Sequence, residues 1–232
     1  MEQSPQRRSV APASLVADPA RAAGVAATAA RMESGAARFL DAAVAVQRAI
    51  AGTEAARVAQ AAALLADTLR HGGALYTCGN GGSAADAQHV AAELAGKFFL
   101  VRPGLAALAL TTNSSALTAI ANDFSFAEVF VRQLEGLARP GDVLMVFTTS
   151  GRSPNVRLAV EWARGHGVTT VALVGESGRE WAATCDHALV VPSDVTPHIQ
   201  QAHITLAHAI CALAEAELFP GGAAGTPGRG TP

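Results

Sequence analysis

The stretch LYTCGNGGSAADAQHVAAELAGK, from Leu75 to Lys97, decides how the rest of the sequence is interpreted. It opens with the apolar residues Leu75, Tyr76 and Cys78, which are typical of a buried strand. A glycine-rich turn follows at residues 79–82, and the alanine-rich segment after it favours a helix. A strand that leads through such a turn into a helix directs backbone N–H groups and the positive end of the helix dipole at one point. The stretch therefore predicts an anion site, suited to a group such as phosphate.

Two groups that can move protons or hold a metal lie on the same helix. His89 and Glu93 are four residues apart, so they share one helix face. They could act as a general acid and base, as two metal ligands, or as an ordinary surface pair, which is the commonest case for this spacing alone. Their place on the helix that leaves the anion turn favours a functional role. Asp86, one turn earlier, is interpreted as a charge near the helix N-terminus.

Composition excludes several classes of function. The chain has 232 residues and a net charge of −2, which implies no strong attraction to nucleic acid or to an anionic membrane. The cysteines Cys78, Cys185 and Cys211 are far apart and form no CxxC zinc motif, so a reducing compartment is the default. No apolar run is long enough to span a membrane, and no secretory signal is recognisable at the N-terminus. We therefore expect a cytoplasmic protein.

The order of the secondary structure can be predicted from hydrophobic patterning. A disordered N-terminal extension (1–25) and a disordered Gly/Pro-rich tail (220–232) are expected to flank a single domain at 26–219. That domain opens with a helical pair, in which Thr53 is a plausible N-cap for the second helix. The predicted strands are Ala74–Cys78, Leu105–Leu110, Val143–Phe147, Val168–Val174 and Ala188–Val191. Helices are predicted between them, one of them at Phe126–Ala138, and a long helix at Thr196–Leu218 ends the domain.

Strands that alternate with helices predict an α/β fold. The apolar runs are continuous, as expected for strands buried on both sides, so we predict a parallel sheet between two layers of helices, a three-layer sandwich. In such folds, ligands bind at the carboxyl ends of strands, near a reversal of strand order. The turns at 79–83 and 148–153 both follow strands. They become neighbours if their strands are neighbours.

The second of these turns is rich in hydroxyl groups. Thr148, Thr149, Ser150 and Ser153 lie within six residues and precede a helix, so they could bind phosphate oxygens. The alternative is that Ser153 only caps the helix, with Pro154 at its first position. This turn lacks the lysine of a nucleotide P-loop, and the 79–83 turn lacks the GxGxxG spacing of a dinucleotide site. A phosphorylated small molecule therefore fits better than a nucleotide.

The last helix carries three histidines in an apolar setting. At about 100° per residue, Gln200 and His208 lie within about 80° of each other, whereas His203 points about 140° away from His208. We therefore expect His198 and His203 to be packed residues. The pattern alone assigns no role to Asn122-Asp123, a common loop dipeptide, and no catalytic role to the cysteines.

Four ordered motifs together resemble a known family. They read CGNGGSAADAQHVAAEL, AIANDFSF, FTTSGRSPNV and TPHIQQAHITLAHAI, and the resemblance that they carry extends over about residues 32 to 218. They are similar to the sugar isomerase (SIS) domain proteins and, more narrowly, to the phosphoheptose isomerases. The resemblance implies a five-stranded parallel sheet and a homotetramer in which the N-terminal helices pack and the active sites lie between subunits. It implies an aldose–ketose isomerisation, of sedoheptulose 7-phosphate to D-glycero-D-manno-heptose 7-phosphate, through an enediol.

The resemblance also implies roles for individual residues. Glu93 would be the base that moves the proton, and His208 would be its acid/base partner. In some members of the family a zinc ion is bound, here by the positions of His89, Glu93, Gln200 and His208. The residues that would contact the sugar phosphate are Asn80, Gly81, Gly82, Ser83, Asn122, Asp123, Thr148, Thr149, Ser150, Ser153 and Gln200.

Other functions remain compatible with these motifs. One is a non-catalytic SIS-domain protein that binds a phosphosugar, or an adaptor that binds the bacterial replication initiator. That adaptor lacks the carboxylate that matches Glu93, which is present here. Another is an isomerase or lyase that acts on a different phosphosugar, such as a hexose 6-phosphate.

Overall fold

The computed structural model describes residues 19–221, divided into two compact units between Asp41 and Ala42. The first unit is the beginning of helix α1 (Pro19–Thr53), whose side chains there are exposed almost throughout. Residues 19–25, predicted to be disordered, belong to this helix, because alanine has the highest helix propensity. The rest of the predicted extension and the tail beyond residue 221 lie outside the described residues.

The second unit contains the sheet and all later helices. The elements after α1 are α2 (Ala55–Arg70), β1 (Leu75–Gly79), α3 (Gly82–Ala95), β2 (Ala107–Ala109), α4 (Ser114–Asp123), α5 (Val131–Leu137), β3 (Val143–Thr148), α6 (Pro154–Gly165), β4 (Thr169–Gly175), α7 (Arg179–Ala182), β5 (His187–Val191) and α8 (Thr196–Leu218). None of the helices in the described range is both long and apolar enough to cross a membrane.

Three local predictions differ from the structure. The second strand is limited to Ala107–Ala109, and the single helix predicted at Phe126–Ala138 is divided into a 3₁₀ turn, Phe126–Glu128, and helix α5. Thr53 does not cap α2, because its hydroxyl donates to the carbonyl of Ala49 within α1 and Glu54 occupies the N-cap position. A Thr hydroxyl can bond the preceding turn of its own helix as readily as it can cap the next one.

The sheet has five parallel strands in the order β2-β1-β3-β4-β5. From β1 the chain moves to the β2 edge and then returns to place β3 on the other side of β1. The strand order therefore reverses between β1 and β3, which is where ligands bind in open α/β sheets. Gly79 at the end of β1 pairs with Phe147 in β3. The prediction that the turns at 79–83 and 148–153 are neighbours is confirmed.

Each face of the sheet has its own apolar core. Alternate strand residues such as Leu75, Met145 and Leu173 pack with α2, α3 and α8 on one face. Their neighbours, such as Leu144 and Val146, pack with α5, α6 and α7 on the other face. Burial on both faces explains the continuous apolar runs of the strands. The predicted three-layer α/β architecture with a five-stranded parallel sheet is confirmed.

Candidate active site

The turn after β1 is held tightly against the sheet. A Cβ atom on Gly79 would lie 2.6 Å from the carbonyl oxygen of Ser83 and 2.8 Å from that of Phe147, so a larger residue would displace backbone. Gly81 is the N-cap of α3 and has a φ of 57°, in the left-handed region that favours glycine. These glycines let α3 begin directly at the strand end. Ser83, in its first turn, is buried there.

The turn after β3 presents hydroxyl groups beside it. Thr148 is buried, and its hydroxyl accepts a hydrogen bond from the N–H group of Gly151 at 3.2 Å. Ser153 occupies the N-cap position of α6 with Pro154 after it, but its side chain makes no capping hydrogen bond. Capping therefore does not account for the Ser153 side chain. A hydroxyl that the helix does not use can bind a ligand.

A reciprocal amide pair joins the two turns. Asn80 donates to Asn155 at 2.9 Å, and Asn155 donates back to Asn80 at 2.9 Å. Each amide group has two N–H donors and two acceptor lone pairs, so Asn80 keeps one donor and one lone pair for a ligand. Asn155 was not predicted from the sequence as a site residue, although it lies within the FTTSGRSPNV motif. Only the pairing of β1 with β3 makes its role visible.

A cluster of acid/base groups lies where α3 meets α8. The Nε2 atom of His89 is 3.0 Å from Oε1 of Glu93 on the same helix. It is also 3.3 Å from Nε2 of His208, which lies 119 residues away in sequence. The two imidazole rings are nearly perpendicular, with centroids 4.9 Å apart. The structure thus brings together three predicted residues from two helices.

The surroundings of the cluster shift two pKa values. Burial lowers the pKa of His208, and the positive charge of His89 lowers it further, while the Glu93 carboxylate opposes both effects. His208 is therefore biased towards the neutral imidazole, which can accept a proton. Burial raises the pKa of Asp86 to about 6, although the charge of His89 opposes this shift.

The interpretation of Asp86 as an ordinary charge near the helix N-terminus was incomplete. Its Oδ2 atom is buried and has no hydrogen-bond partner among the described residues. A carboxyl group with a raised pKa close to a candidate site is a common functional signature. In the sequence, only the spacing of three residues between Asp86 and His89 indicates that the two are close. That spacing does not predict that the carboxyl group of Asp86 is buried.

The donor set of the cluster suits a metal ion. One ligand atom each from His89, Glu93 and His208 can be chosen so that all three lie within 4.8 Å of one another. Two imidazole nitrogens and a carboxylate oxygen are ligands that Zn²⁺ accepts, with a position left for a further group. Gln200, the fourth predicted ligand, lies against the turn after β1, where a Cβ atom on Gly82 would be 2.3 Å from its Nε2 atom.

Comparisons with known proteins agree on one family. A SIS domain model matches residues 38–175. The phosphoheptose isomerase of Akkermansia muciniphila is 50% identical over 164 residues, which cover 71% of this chain and 87% of that protein. That of Nitratidesulfovibrio vulgaris is 52% identical over 163 residues, 70% of this chain and 78% of that protein. This chain belongs to the phosphoheptose isomerase family of SIS-domain proteins.

Solved structures from the same family share the fold. Phosphoheptose isomerase GmhA from Neisseria gonorrhoeae matches with a TM-score of 0.74 and 42% identity, over 80% of this chain and 98% of that chain. The phosphoheptose isomerase from Francisella tularensis matches with a TM-score of 0.75 and 34% identity, over 78% of this chain and 96% of that one. The family resemblance inferred from the four motifs is thus confirmed.

The structure says less about the remaining candidate residues. Asn122 and Asp123 are exposed at the end of α4, where Asn122 donates to Asp123 at 2.8 Å. Their predicted contact with a sugar, like that of Thr149, stays a prediction. His198 and His203 are both buried, which confirms that they are packed residues.

The cysteines have the properties of structural residues. Cys78 and Cys211 are buried, and Cys185 is partly buried. Burial raises the pKa of Cys185 to about 11 and that of Cys211 to about 12. Burial also raises the pKa of Cys78. These thiols stay protonated near neutral pH, and the reactive form of a cysteine is the thiolate.

Proposed function

We propose that this member of the phosphoheptose isomerase family interconverts sedoheptulose 7-phosphate and D-glycero-D-manno-heptose 7-phosphate. The family's relatives carry the name phosphoheptose isomerase, which makes the activity an isomerisation. The observation that carries the proposal is that His208 of α8 meets Glu93 and His89 of α3, the helix that leaves the anion turn. A carboxylate beside an imidazole can serve as the general base and general acid for proton transfer next to a carbonyl group.

The reaction moves one proton between two adjacent carbon atoms. The Glu93 carboxylate removes a proton from C1 of the ketose, and the electron pair left behind forms the enediol with the C2 carbonyl. The neutral imidazole of His208 accepts the proton of the hydroxyl on C1 and then donates a proton to the oxygen on C2. Glu93 then returns its proton to C2, which leaves the aldehyde at C1. No atom is gained or lost, and both residues return to their starting protonation states.

The two hydroxyl-rich turns are proposed to hold the phosphate. Ser83, Thr148, Ser150 and Ser153 supply hydroxyl groups, and the N-terminal ends of α3 and α6 supply a favourable field for an anion. Six residues separate Ser83 from His89, or about 9 Å along the helix axis. That distance suits a seven-carbon chain with its phosphate at one end and its reacting carbons at the other. Binding energy at the phosphate then orients the reacting end.

The substrate's sugar chain is proposed to contact the remaining predicted residues. Asn80, which joins the two turns, has one donor and one acceptor to offer. The other proposed contacts are Gly81, Gly82, Asn122, Asp123, Thr149 and Gln200.

A zinc ion is proposed at the acid/base cluster, one per subunit. His89, Glu93 and His208 would hold it together with Gln200, and the N and O donors present fit that ion. When bound, zinc supplies a positive charge that stabilises a developing oxyanion. Metal analysis of protein that has never met a chelator tests this proposal, and variants His89→Gln and His208→Gln should contain less zinc than the unmodified chain.

The assembly is proposed to be a homotetramer of single SIS domains with active sites between subunits. Val25, Met32 and Phe39 recur every seven residues on α1 and are 63%, 66% and 45% exposed. Apolar residues at this spacing form a seam that another helix can cover. The N-terminal helical pair is therefore proposed to pack in the oligomer, which light scattering coupled to gel filtration would measure. A cytoplasmic location stays a prediction from the sequence.

The activity is tested by incubating the purified chain with sedoheptulose 7-phosphate and following the products by NMR. The aldoheptose 7-phosphate should appear. In D₂O, the enediol route should place deuterium at C2 of the product, because Glu93 can exchange its proton with solvent. No conversion, with or without added zinc, would contradict the proposed function and favour a phosphosugar-binding or adaptor role. Conversion of a hexose 6-phosphate instead would assign a different substrate.

A further inference from the structure

A buried carboxylate organises the loop that follows α3. The side chain of Glu215, on α8, is 1% exposed and accepts from Nε of Arg102 at 2.7 Å. It also accepts from three consecutive backbone N–H groups, those of Phe98 at 3.4 Å, Phe99 at 2.8 Å and Leu100 at 3.1 Å. A buried charge is tolerated when it is paired and hydrogen-bonded in this way. Glu215 thus ties the loop at 97–105 to α8.

Arg102 ties the same loop to the end of α3. Its Nη2 atom donates to the carbonyl oxygen of Glu93 at 3.0 Å, and its Nη1 atom donates to that of Leu94 at 2.8 Å. A further bond of 3.3 Å reaches the carbonyl of Gly96. The last carbonyl groups of a helix have no partner within the helix, and an arginine side chain can satisfy them. One guanidinium group therefore joins Glu215 to the backbone of the proposed catalytic base.

The loop also touches the second proposed catalytic group. The ring of Phe98 lies 5.5 Å from the ring of His208, centroid to centroid, at an angle of 35°. Glu215 follows His208 by seven residues, or about two helical turns, so both lie on the same side of α8. The loop that Glu215 holds is therefore the loop that packs against His208.

We infer that Arg102 and Glu215, the buried clamp, are positioning residues that set the relative placement of Glu93 and His208. The inference rests on the proposed isomerase function, because it gives that pair its roles. Arg102 holds Glu93 through its carbonyl group, and Glu215 holds His208 through Phe98. Both side chains of the clamp are buried, so we expect neither to touch the substrate. A buried ion pair is often no more stabilising than apolar residues of similar size, so stability alone does not explain this pair. We infer that its role is to fix the arrangement of the groups that it joins.

The decisive test compares two ion pairs, one buried and one exposed, each of which has its glutamate on α8. Arg102→Lys keeps the charge but loses the planar fork, and Glu215→Gln keeps the shape but loses the charge. The matched controls are Arg70→Lys and Glu217→Gln, which alter an exposed pair with an N–O distance of 2.9 Å. In the clamp variants, kcat for sedoheptulose 7-phosphate should fall by about 10- to 100-fold, because small misplacements of reacting groups are costly. KM should change by less than about threefold, since the phosphate turns are untouched. The controls should keep both constants.

A second measurement does not depend on turnover. In histidine-labelled protein, the imidazole resonances of His208, assigned with His208→Gln, should shift in Arg102→Lys and stay in place in Arg70→Lys. If the unmodified chain fails to convert the substrate, the proposed function is wrong, yet this signal still decides whether the clamp positions His208. An unmoved His208 signal would overturn the inference. So would a folded clamp variant with unchanged kcat, or one that changes KM alone.

A variant that does not fold would not end the test. The double change Arg102→Met with Glu215→Leu replaces the pair by apolar residues of similar length, which buried sites often accept. We expect this variant to have a normal far-ultraviolet circular dichroism spectrum but the same loss of kcat. Full activity in that variant would show that the clamp contributes only to packing and would overturn the inference.

Discussion

The two halves of the candidate site are built in different ways. The half that we propose binds the phosphate, called the phosphate half, consists of two turns, 79–83 and 148–153, each contiguous in sequence and each at the end of a strand. The acid/base half consists of side chains from α3 and α8, whose members His89 and His208 are 119 residues apart. The first half depends on turn geometry and strand pairing. The second depends on how two helices pack against each other and on the clamp below them.

This difference predicts different kinetic consequences. The phosphate half offers several hydroxyl and N–H groups for one ligand, so losing one of them weakens binding and leaves the chemistry in place. The acid/base half has one group for each proton transfer, so losing either group removes a step. Changes in the two halves should therefore separate into effects on KM and effects on kcat.

The largest effect is expected from Glu93→Gln. The amide cannot remove a proton from carbon, so kcat should fall by about 10²- to 10⁴-fold. KM should stay within about threefold of the original value, because the phosphate contacts remain. Steady-state kinetics measure both constants, and Glu135→Gln at an exposed position serves as the control. Turnover close to that of the control would remove Glu93 from the role of base.

The next largest effect is on stability at low pH, where His203 and His208 of α8 are expected to behave differently. His203 is fully buried, and burial lowers its pKa to about 4 from an ordinary 6.5, with the backbone of Val174 opposing this. The unfolded chain then binds a proton that the folded chain does not. The titration of His203 therefore leaves the free energy of unfolding unaffected above pH 6.5. This free energy falls by about 3 kcal/mol in total as the pH is lowered from 6.5 towards 4.

The comparison that isolates this contribution is with His203→Leu. Urea unfolding at fixed protein concentration should show that the unmodified chain loses about 3 kcal/mol more than the variant between pH 7 and pH 4. His208, which is only partly buried, should behave differently, and His208→Gln should leave most of this pH dependence in place. If the free energy of unfolding changed equally with pH in His203→Leu and in the unmodified chain, the assignment of this pH dependence to His203 would be wrong.

A smaller effect is expected in the phosphate half. Ser150→Ala removes one hydroxyl from the turn after β3, and a hydrogen bond to a charged group contributes about 1.5 to 3 kcal/mol. KM should rise by about 10- to 150-fold, with kcat reduced by less than about threefold. Ser115→Ala on the exposed surface of α4 is the control. A fall in kcat alone would mean that the two halves are not separable in this way.

The smallest effect tests the point where the two halves meet. Gly82→Ala would place a methyl group 2.3 Å from Nε2 of Gln200, the far end of a flexible side chain that must then move aside. KM should change by about two- to fivefold, while the thermal midpoint stays nearly constant because alanine favours a helix. Gly136→Ala, where the new methyl group meets open space, is the matched control. A large fall in kcat would mean that the placement of Gln200, the fourth proposed zinc ligand, matters to the chemistry as well as to binding.

Local patterns predicted most of the fold and the phosphate half of the site. The strands were located because residues such as Val143–Phe147 form unbroken apolar runs, and the turns because glycines and hydroxyls follow them. Predictions failed where a local signal had two outcomes. Thr53 could cap α2 or bond back into α1, and the run at 126–138 carried no marker for the break between its 3₁₀ turn and α5.

The interactions that were missed are all long-range. Asn155 pairs with Asn80 across 75 residues, and Arg102 pairs with Glu215 across 113. A single arginine in a loop or a glutamate on a helix looks like a solvated charge in a sequence, because burial is a property of the packed chain. The raised pKa of Asp86 was invisible for the same reason.

By itself, the sequence determined the alternation of strands and helices, the two turns at the strand ends and the family to which their motifs belong. These features depend on backbone preferences and on apolar periodicity, which act over a few residues. Only the tertiary structure decided that the turns meet, that His208 reaches His89 and Glu93, and that a buried ion pair lies beneath them. Those outcomes depend on contacts between segments far apart in sequence, and such contacts exist only once the sheet has assembled and α8 has packed against α3.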